Sequence, residues 1–278
     1  MSEEAILKVQ SSPAVFNIEK SGISSRYIAW IDLMGAANLM QFSLKSAAIL
    51  LGKLHDVIFK TWKEDSARLT IHSVVDGCYV VASEIIPLLH FVENVMSRYF
   101  ACFYKEYQTH CKKRAIWKYC ALLRGAITYG PIYSNEDMKK GFKCDKNITP
   151  EELRCAYFSN IFVGNLLARA YELEKKAPPF GVYLDSSVVC QNLSLQADEQ
   201  AKFILGQGAW YRWFLNSATG DCRNQLGIPQ LPKDMGTAVT QFLEAERSCQ
   251  YECNYPVERH DEWVKMVDEY FVDTNQQI

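Results

Sequence analysis

Two aspartates of this chain stand in matching settings, 44 positions apart. Asp32 lies in the run Tyr27-Ile-Ala-Trp-Ile-Asp-Leu-Met-Gly35, and Asp76 lies in Ile71-His-Ser-Val-Val-Asp-Gly-Cys-Tyr-Val-Val-Ala82. Each is the one acid of an apolar run typical of a buried strand, and each lies within three residues of a glycine. A buried carboxylate costs on the order of several kcal/mol unless a cation or hydrogen bonds compensate its charge. Two such carboxylates brought together by strand pairing form a site for hard divalent cations.

The elements around these acids bring them together. The predicted elements are, in order, a strand over 26–33, a helix over 36–63, strands over 68–74 and 77–83, a helix over 87–113, a strand over 119–129, a helix over 158–176 and a strand over 180–184. Hydrophobic periodicity predicts the helices, and Asp76-Gly77 between apolar runs predicts a hairpin. In this order the first strand and the hairpin are neighbours, so Asp32 at the strand end faces Asp76 in the turn.

This β-α-β-β-α-β order predicts an α+β fold with a ferredoxin-like central sheet, antiparallel or mixed, flanked by helices. A late hairpin over 202–215 and two helices over 233–250 and 257–271 follow. Residues 1–25 are predicted to be an N-terminal lead-in. Residues 26–278 are predicted to form a single domain that includes the C-terminal helices.

Three further side chains are suited to phosphate chemistry. Asn165 and Arg169 lie at i and i+4 on one face of a predicted helix, where an amide and a guanidinium orient a ribose and bind a phosphoryl group. Arg124 lies inside an apolar strand and therefore needs an anion: Asp32, Asp76, a phosphate or a structural carboxylate. Each of these residues is also consistent with a purely structural role. Asn165 and Arg169 fit a solvated helix face. Asp32 fits a helix cap, and Asp76 fits a turn residue.

Composition excludes several classes of protein. The chain has 278 residues, 49% of them hydrophobic and 22% charged, and a formal net charge of −2, so no global basic field points to nucleic acid. No apolar stretch approaches the ~20 residues of a membrane span, and the acidic N-terminus lacks a signal-peptide pattern. Ten cysteines occur without a C-x-x-C pair, which is typical of reduced thiols. We expect a soluble cytoplasmic protein. The phosphate-loop, dinucleotide and G-x-S-x-G motifs are absent from the sequence.

At this point the motifs resemble a family. Ile28-Ala-Trp-Ile-Asp-Leu-Met-Gly35 resembles the first metal-binding strand of class III nucleotidyl cyclases, and Val74-Val-Asp-Gly-Cys78 resembles their second metal-aspartate hairpin. Further segments are similar to the bacterial Pycsar pyrimidine cyclases, which are stand-alone cyclase domains of antiphage defence. These segments are Leu123–Tyr133, Ile161–Gly164, Ala170–Lys175 and Val182–Asp185. The resemblance covers about residues 26–190.

The resemblance implies the class III nucleotidyl cyclase fold and a homodimer whose active sites lie at the interface. It implies two Mn²⁺ or Mg²⁺ ions per site on Asp32, Asp76 and the Leu33 backbone carbonyl, with Arg169 and Asn165 as catalytic residues. The reaction would convert UTP, or CTP, into cUMP or cCMP plus pyrophosphate. A downstream effector would respond to this second messenger rather than to the chain, and neither nucleic acid nor membrane would be a partner.

The chain also departs from the family pattern. Ala36 stands where the family usually has Phe. The Asn-x-x-x-Arg pair of class III cyclases normally begins four residues after a helix glycine, whereas Asn165 directly follows Gly164. Aligning on the later Leu-Glu dipeptide instead places Ala168 and Glu172 at those two positions.

These departures keep other functions open. One is an inactive cyclase-like domain that binds a nucleotide or a partner without turnover. Another is a purine cyclase that makes cAMP or cGMP. A metal-dependent nuclease or polymerase-like palm would also use paired carboxylates, but the net charge of −2 does not favour a template-binding surface.

Overall fold

The structure is a computed structural model. It describes residues 22–64, 68–74, 76–113, 115–134, 163–191, 203–205, 209–215, 224, 226–229, 232–248 and 257–271. The chain divides into a larger unit, Tyr27–Tyr129 with Leu167–Ile278, and a smaller one, Met1–Arg26 with Gly130–Leu166. Within the described part of the smaller unit, Tyr133 and Val163 exchange two backbone hydrogen bonds of 2.9 and 3.0 Å. The predicted division into a lead-in and a single domain stays a prediction.

Seven strands of the described residues form one mixed sheet. They are β1 (Ser24–Leu33), β2 (Leu69–Val74), β3 (Gly77–Ala82), β4 (Leu123–Ile132), β5 (Val182–Leu184), β6 (Phe203–Leu205) and β7 (Ala209–Tyr211). Their order across the sheet is β2-β3-β1-β4-β5-β7-β6. β3 is antiparallel to β1 and β2, β4 and β5 are parallel, and β7 is antiparallel to β5 and β6. The predicted α+β class with a mixed sheet is confirmed.

Helices flank this sheet. The α-helices are α1 (Ala36–Phe42), α2 (Leu44–Glu64), α3 (Ile85–His110), α4 (Asn165–Leu173), α5 (Ser186–Gln191), α6 (Pro232–Arg247) and α7 (His260–Tyr270). None of the described helices combines the length and the apolar character that a membrane crossing requires. The βαββαβ order and both C-terminal helices agree with the sequence prediction.

The predicted helix over 36–63 is interrupted at Ser43. The backbone there is extended (φ −157°, ψ 89°), so α1 ends at Phe42 and α2 begins at Leu44. The Ser43 hydroxyl oxygen accepts the Ser46 N–H at 3.3 Å, and the hydroxyl donates to the Ser46 hydroxyl oxygen at 2.9 Å. Ser43 is therefore the N-cap of α2, satisfying an amide that the helix leaves without an internal partner.

Other boundaries also differ from the prediction, among them those of α3, which is predicted over 87–113 and runs over Ile85–His110. The helix predicted to begin at 158 begins at Asn165; residues 158–162 lie outside the described residues, and Val163 lies in the bridge to Tyr133. The strand predicted from Tyr119 begins at Leu123, since a 3₁₀ helix precedes it. The late hairpin is confirmed as β6 and β7.

Alternate side chains of β1 point to opposite faces of the sheet. Ile31 and Leu33 join the main hydrophobic core with buried residues of α2, α3, α6 and α7. Trp30 and Asp32 point to the other face, where Trp30 packs against Tyr171 of α4 with ring centroids 5.9 Å apart. One sheet face therefore carries the core, and the opposite face carries α4 and the Asp32 carboxylate.

The C-terminal helices complete the core of the larger unit. Phe242 of α6 meets Phe103 of α3 edge-on at 5.4 Å. Phe214 packs against Tyr270 of α7 at 5.2 Å and against Phe271 at 4.8 Å. All five rings are buried, and burying each side chain contributes roughly 1.5–3 kcal/mol of transfer free energy. These helices therefore serve the packing of the larger unit.

Gly77 opens β3 directly opposite Asp32, and the structure leaves no room for a side chain there. A Cβ at Gly77 would lie 2.2 Å from the Ile31 carbonyl oxygen and 2.8 Å from the Trp30 ring. The glycine of the Asp-Gly turn is therefore what allows the hairpin to approach β1 closely at the end that carries the acids.

We expect Gly77→Ala to lower the free energy of unfolding by about 1–3 kcal/mol, because the β1 backbone must move to accept the methyl group. Gly52→Ala is the matched control: a Cβ there meets nothing within 4 Å, and helix propensity should raise stability by about 0.5–1 kcal/mol. Urea unfolding followed by circular dichroism measures both variants. Equal stability of the two would contradict the close β1–β3 packing.

Candidate metal centre

The structure places Asp32 and Asp76 side by side at one end of the sheet. The β1–β3 register pairs Asp32 with Gly77, the residue after Asp76. The Leu33 N–H donates a hydrogen bond of 3.2 Å to the Asp76 backbone carbonyl. Asp32 is 8% exposed, whereas Asp76 in the turn is partly exposed. The strand order thus brings the two acids together as predicted, and their role as metal ligands stays a prediction.

Burial dominates the electrostatics of Asp32. It raises the pKa of this carboxyl from 3.8 to about 8, and the negative charges of Glu174 and Asp76 act in the same direction. The Arg124 guanidinium and the Leu33 N–H lower the pKa by smaller amounts. Without a further cation, the Asp32 carboxyl therefore keeps its proton at neutral pH.

The donor set fits a hard divalent cation. Two carboxylates and the Leu33 backbone carbonyl supply oxygen ligands, which Mg²⁺ and Mn²⁺ prefer. No ion pair to Asp32 is present among the described residues, so a cation there would meet a buried acid that has no positively charged partner in direct contact. The described residues contain no group of three acidic, histidine or cysteine side chains that would hold a metal alone. Further oxygens must therefore come from water or from a bound phosphate.

A buried ion pair lies next to the two acids. Arg124 of β4 binds Glu174, which follows α4, through both carboxylate oxygens, with Nη2 and Oε1 3.0 Å apart. Glu174 is 1% exposed, so burial raises its pKa while Arg124 lowers it. Both charges act on the pKa of Asp32. Of the partners predicted for Arg124, the structure selects a structural carboxylate, and its role in substrate binding stays a prediction.

Arg169 is not joined to the two acids within the described residues. The Arg169 side chain is 50% exposed, and its Nη2 donates to the buried Asp185 carboxylate at 2.7 Å. Asn165 is the exposed first residue of α4. Within the described residues, no contact links Arg169 to Asp32 or Asp76. The two halves of the predicted site thus remain separate in one chain.

Aromatic side chains seat α4 on the sheet beside the acids. The Tyr79 hydroxyl donates to the Leu167 carbonyl of α4 at 3.3 Å, and its ring lies 4.4 Å from that of Trp30. Burial raises the pKa of Tyr79 to about 12, with smaller contributions from Tyr171, Asp32 and Asp76. The phenol therefore stays protonated at neutral pH and holds the helix as a hydrogen-bond donor.

Sequence reasoning missed three residues of this region: Glu174, Asp185 as an ion-pair partner, and Ser187. The sequence indicates these residues only indirectly. An arginine inside an apolar strand, such as Arg124, indicates an acidic partner without identifying it. Asp185-Ser-Ser indicates a helix cap but does not identify Asp185 as the partner of Arg169. The identity of both acids required the tertiary structure.

Comparisons with known proteins add the following. No protein-family model matches the chain, and no curated protein matches it. Among solved structures, the guanylyl cyclase Cya2 is similar with a TM-score of 0.44 and 10% identity, over 69% of this chain and 92% of that one.

Two further solved structures are similar. A bacterial light-regulated adenylyl cyclase aligns with a TM-score of 0.46 and 11% identity, over 76% of this chain and 58% of that one. Adenylate cyclases from Trypanosoma brucei, solved in their monomeric state, align with a TM-score of 0.40 and 10% identity, over 70% of this chain and 90% of that one.

The raised pKa of Asp32 predicts a pH-dependent stability in metal-free protein. Between 3.8 and about 8 the unfolded chain releases this proton while the folded chain keeps it. The free energy of unfolding of the wild type should therefore fall as pH rises through this window, relative to Asp32→Asn, which does not titrate. Urea unfolding in chelator at several pH values measures the difference. Parallel pH profiles of wild type and variant would contradict the burial of an uncompensated carboxyl.

Proposed function

We propose that the protein is a nucleotidyl cyclase that converts a nucleoside triphosphate into a cyclic nucleotide and pyrophosphate. The observation that carries the proposal is the placement of the buried Asp32 next to the Asp76-Gly77 turn, which with the Leu33 carbonyl supplies an all-oxygen donor set without an ion-pair partner for Asp32 among the described residues. Palms and nucleases also use paired carboxylates, but the net charge of −2 does not favour a nucleic-acid template.

The residues fit this reaction. Asp32, Asp76 and the Leu33 carbonyl would hold two divalent cations, Mn²⁺ or Mg²⁺. When bound, these ions lower the pKa of the attacking ribose hydroxyl and neutralise the triphosphate. Arg169 would stabilise the charge that develops on the transferred phosphorus and the leaving group. Asn165 would orient the ribose, and Arg124 would contribute to substrate binding.

We propose a pyrimidine substrate, UTP first and CTP second, with the cyclic product as a second messenger in antiphage defence. The support is the resemblance of Leu123–Tyr133, Ala170–Lys175 and Val182–Asp185 to the Pycsar cyclases. A separate effector would bind the cyclic nucleotide and respond to it, and the cyclase itself would act in the cytoplasm. ATP or GTP as the substrate is the alternative within the same reaction.

We also propose a homodimer with active sites at its interface. Arg169 makes no contact with Asp32 or Asp76 among the described residues, and its side chain is half-exposed. A second copy that presents α4 to the paired acids of the first would complete each site, and twofold symmetry would give two identical sites.

Two observations favour a second candidate, an inactive cyclase-like domain that binds nucleotide. The alternative alignment places Ala168 and Glu172 at the catalytic pair, and Arg169 is already bound to Asp185. Such a domain would keep metal-dependent nucleotide binding without turnover.

Incubation with ATP, GTP, CTP and UTP in turn, each with Mn²⁺, should give a cyclic product from one pyrimidine, identified by mass. Asp32→Ala and Asp76→Ala should each lower turnover at least about a thousandfold, because several kcal/mol of metal-dependent stabilisation is lost. Asp56→Ala is the matched control, since Asp56 is an exposed acid of α2 paired with Lys60.

The outcomes separate the candidates. A cyclic purine product supports the cyclase but not its pyrimidine substrate. Retained metal-dependent nucleotide binding without any product favours the inactive domain. Full activity of Asp32→Ala or Asp76→Ala would show that the metal assignment is wrong.

Mixing inactive Asp76→Ala with inactive Arg169→Ala protein should restore activity if the site is shared between subunits. Recovery should approach about one quarter of the wild-type rate, since half of randomly paired dimers are mixed and each carries one intact site. Assays over a range of mixing ratios measure this recovery. Mixtures no more active than either variant alone would place both residues in one subunit's site.

A further inference from the structure

Asp185 lies at the junction of β5 and α5, where backbone hydrogen bonds hold it on both sides. Its N–H donates to the Ile127 carbonyl of β4 at 2.9 Å. Its carbonyl accepts the N–H groups of Val188 and Val189 at 2.9 and 3.2 Å. The side chain is only 4% exposed. The backbone of Asp185 is therefore fixed to the sheet on one side and to α5 on the other, and its carboxylate has little freedom to move.

Both carboxylate oxygens of Asp185 have partners. Oδ1 accepts Nη2 of Arg169 at 2.7 Å, and Oδ2 accepts the Ser187 hydroxyl. The Ser187 oxygen in turn accepts the Tyr129 N–H of β4 at 3.2 Å. A continuous chain of hydrogen bonds thus runs from the backbone of β4 through Ser187 and Asp185 to the guanidinium of Arg169.

This chain leaves most of the Arg169 guanidinium available. Asp185 accepts a hydrogen bond from one nitrogen of the guanidinium, Nη2, and is the partner of Arg169 among the described residues. The Arg169 side chain is half-exposed. An arginine carries five N–H donors on a side chain with high rotamer entropy. A fixed partner removes part of that entropy in advance, and Asp185 takes up only one of the guanidinium nitrogens.

We propose that Asp185 is a positioning residue that holds Arg169 in the orientation in which it receives the charge of the transferred phosphoryl group. The inference rests on the proposed cyclase function. Donors oriented before the reaction stabilise developing charge without reorganisation, and small misplacements cost large factors in rate. Loss of the Asp185 carboxylate should therefore lower kcat and leave KM nearly unchanged. The reason is that, in the proposed site, the ground-state triphosphate is bound mainly through the metal-binding acids.

A purely structural pair makes a different prediction. If Arg169 only compensates the buried charge of Asp185, then removing both charges together restores the protein. A buried acid without its cation is strongly destabilising, whereas loss of both partners is often neutral. Stability and turnover therefore report separately on the two roles.

The test compares Asp185→Asn, Arg169→Gln and the double variant by kcat, KM and thermal midpoint. Asp185→Asn should lower kcat roughly 10- to 100-fold with KM within about threefold of the wild type. Arg169→Gln should lower both kcat and the midpoint. The double variant should regain the midpoint but keep the low kcat of Arg169→Gln. Arg98→Gln is the matched control, since it breaks the Arg98–Glu64 pair between α3 and α2.

If the wild type is active, two results would overturn this inference without touching the proposed function. One is an Asp185→Asn variant that keeps the full kcat. The other is a double variant that recovers kcat together with its thermal midpoint. A wild type that forms no cyclic product from any triphosphate overturns the proposed function, and the inference falls with it. The wild-type assay therefore separates the two failures.

Discussion

The carboxyl group of Asp32 lies at the end of β1, almost without solvent contact, so its charged form needs compensation by something other than water. The surroundings make this harder, because Glu174 and Asp76 add negative charge and raise its pKa further. A bound divalent cation would reverse that balance and convert a costly acid into a ligand. The end of the sheet thus holds an acid that keeps its proton at neutral pH without a cation and would become a charged ligand beside one.

Two ion pairs tie α4 to the sheet beside this charge. Arg124 binds Glu174 just after the helix, and Asp185 binds Arg169 within it. Ion pairs with a buried carboxylate contribute little net stability compared with apolar packing. Both pairs nevertheless connect α4 and the residue after it to the strands beside them. The Tyr79 hydrogen bond to the α4 backbone adds a third attachment. The helix is consequently held at several points on the face that carries Asp32.

The arrangement is consistent with the proposed site shared between two chains. Asp32 and Asp76 lie at one end of the sheet, while Arg169 is bound to Asp185 of the same chain and its side chain is half-exposed. A symmetric pair of chains can bring one chain's acids to the other chain's arginine without moving either. The core on the opposite sheet face, completed by α6 and α7, then serves as the rigid support that such a site requires.

The sequence by itself determined the hairpin at Asp76-Gly77, the proximity of Asp32 and Asp76, and the C-terminal helices. Each follows from local turn chemistry, periodicity or strand order. Tertiary structure alone decided that Arg124 pairs with Glu174, 50 residues away, and that Asp185, 16 residues away, binds Arg169. It also decided that the first helix breaks at Ser43. The physical reason is that side-chain partners depend on how α4 packs across the sheet, and no local pattern encodes that packing.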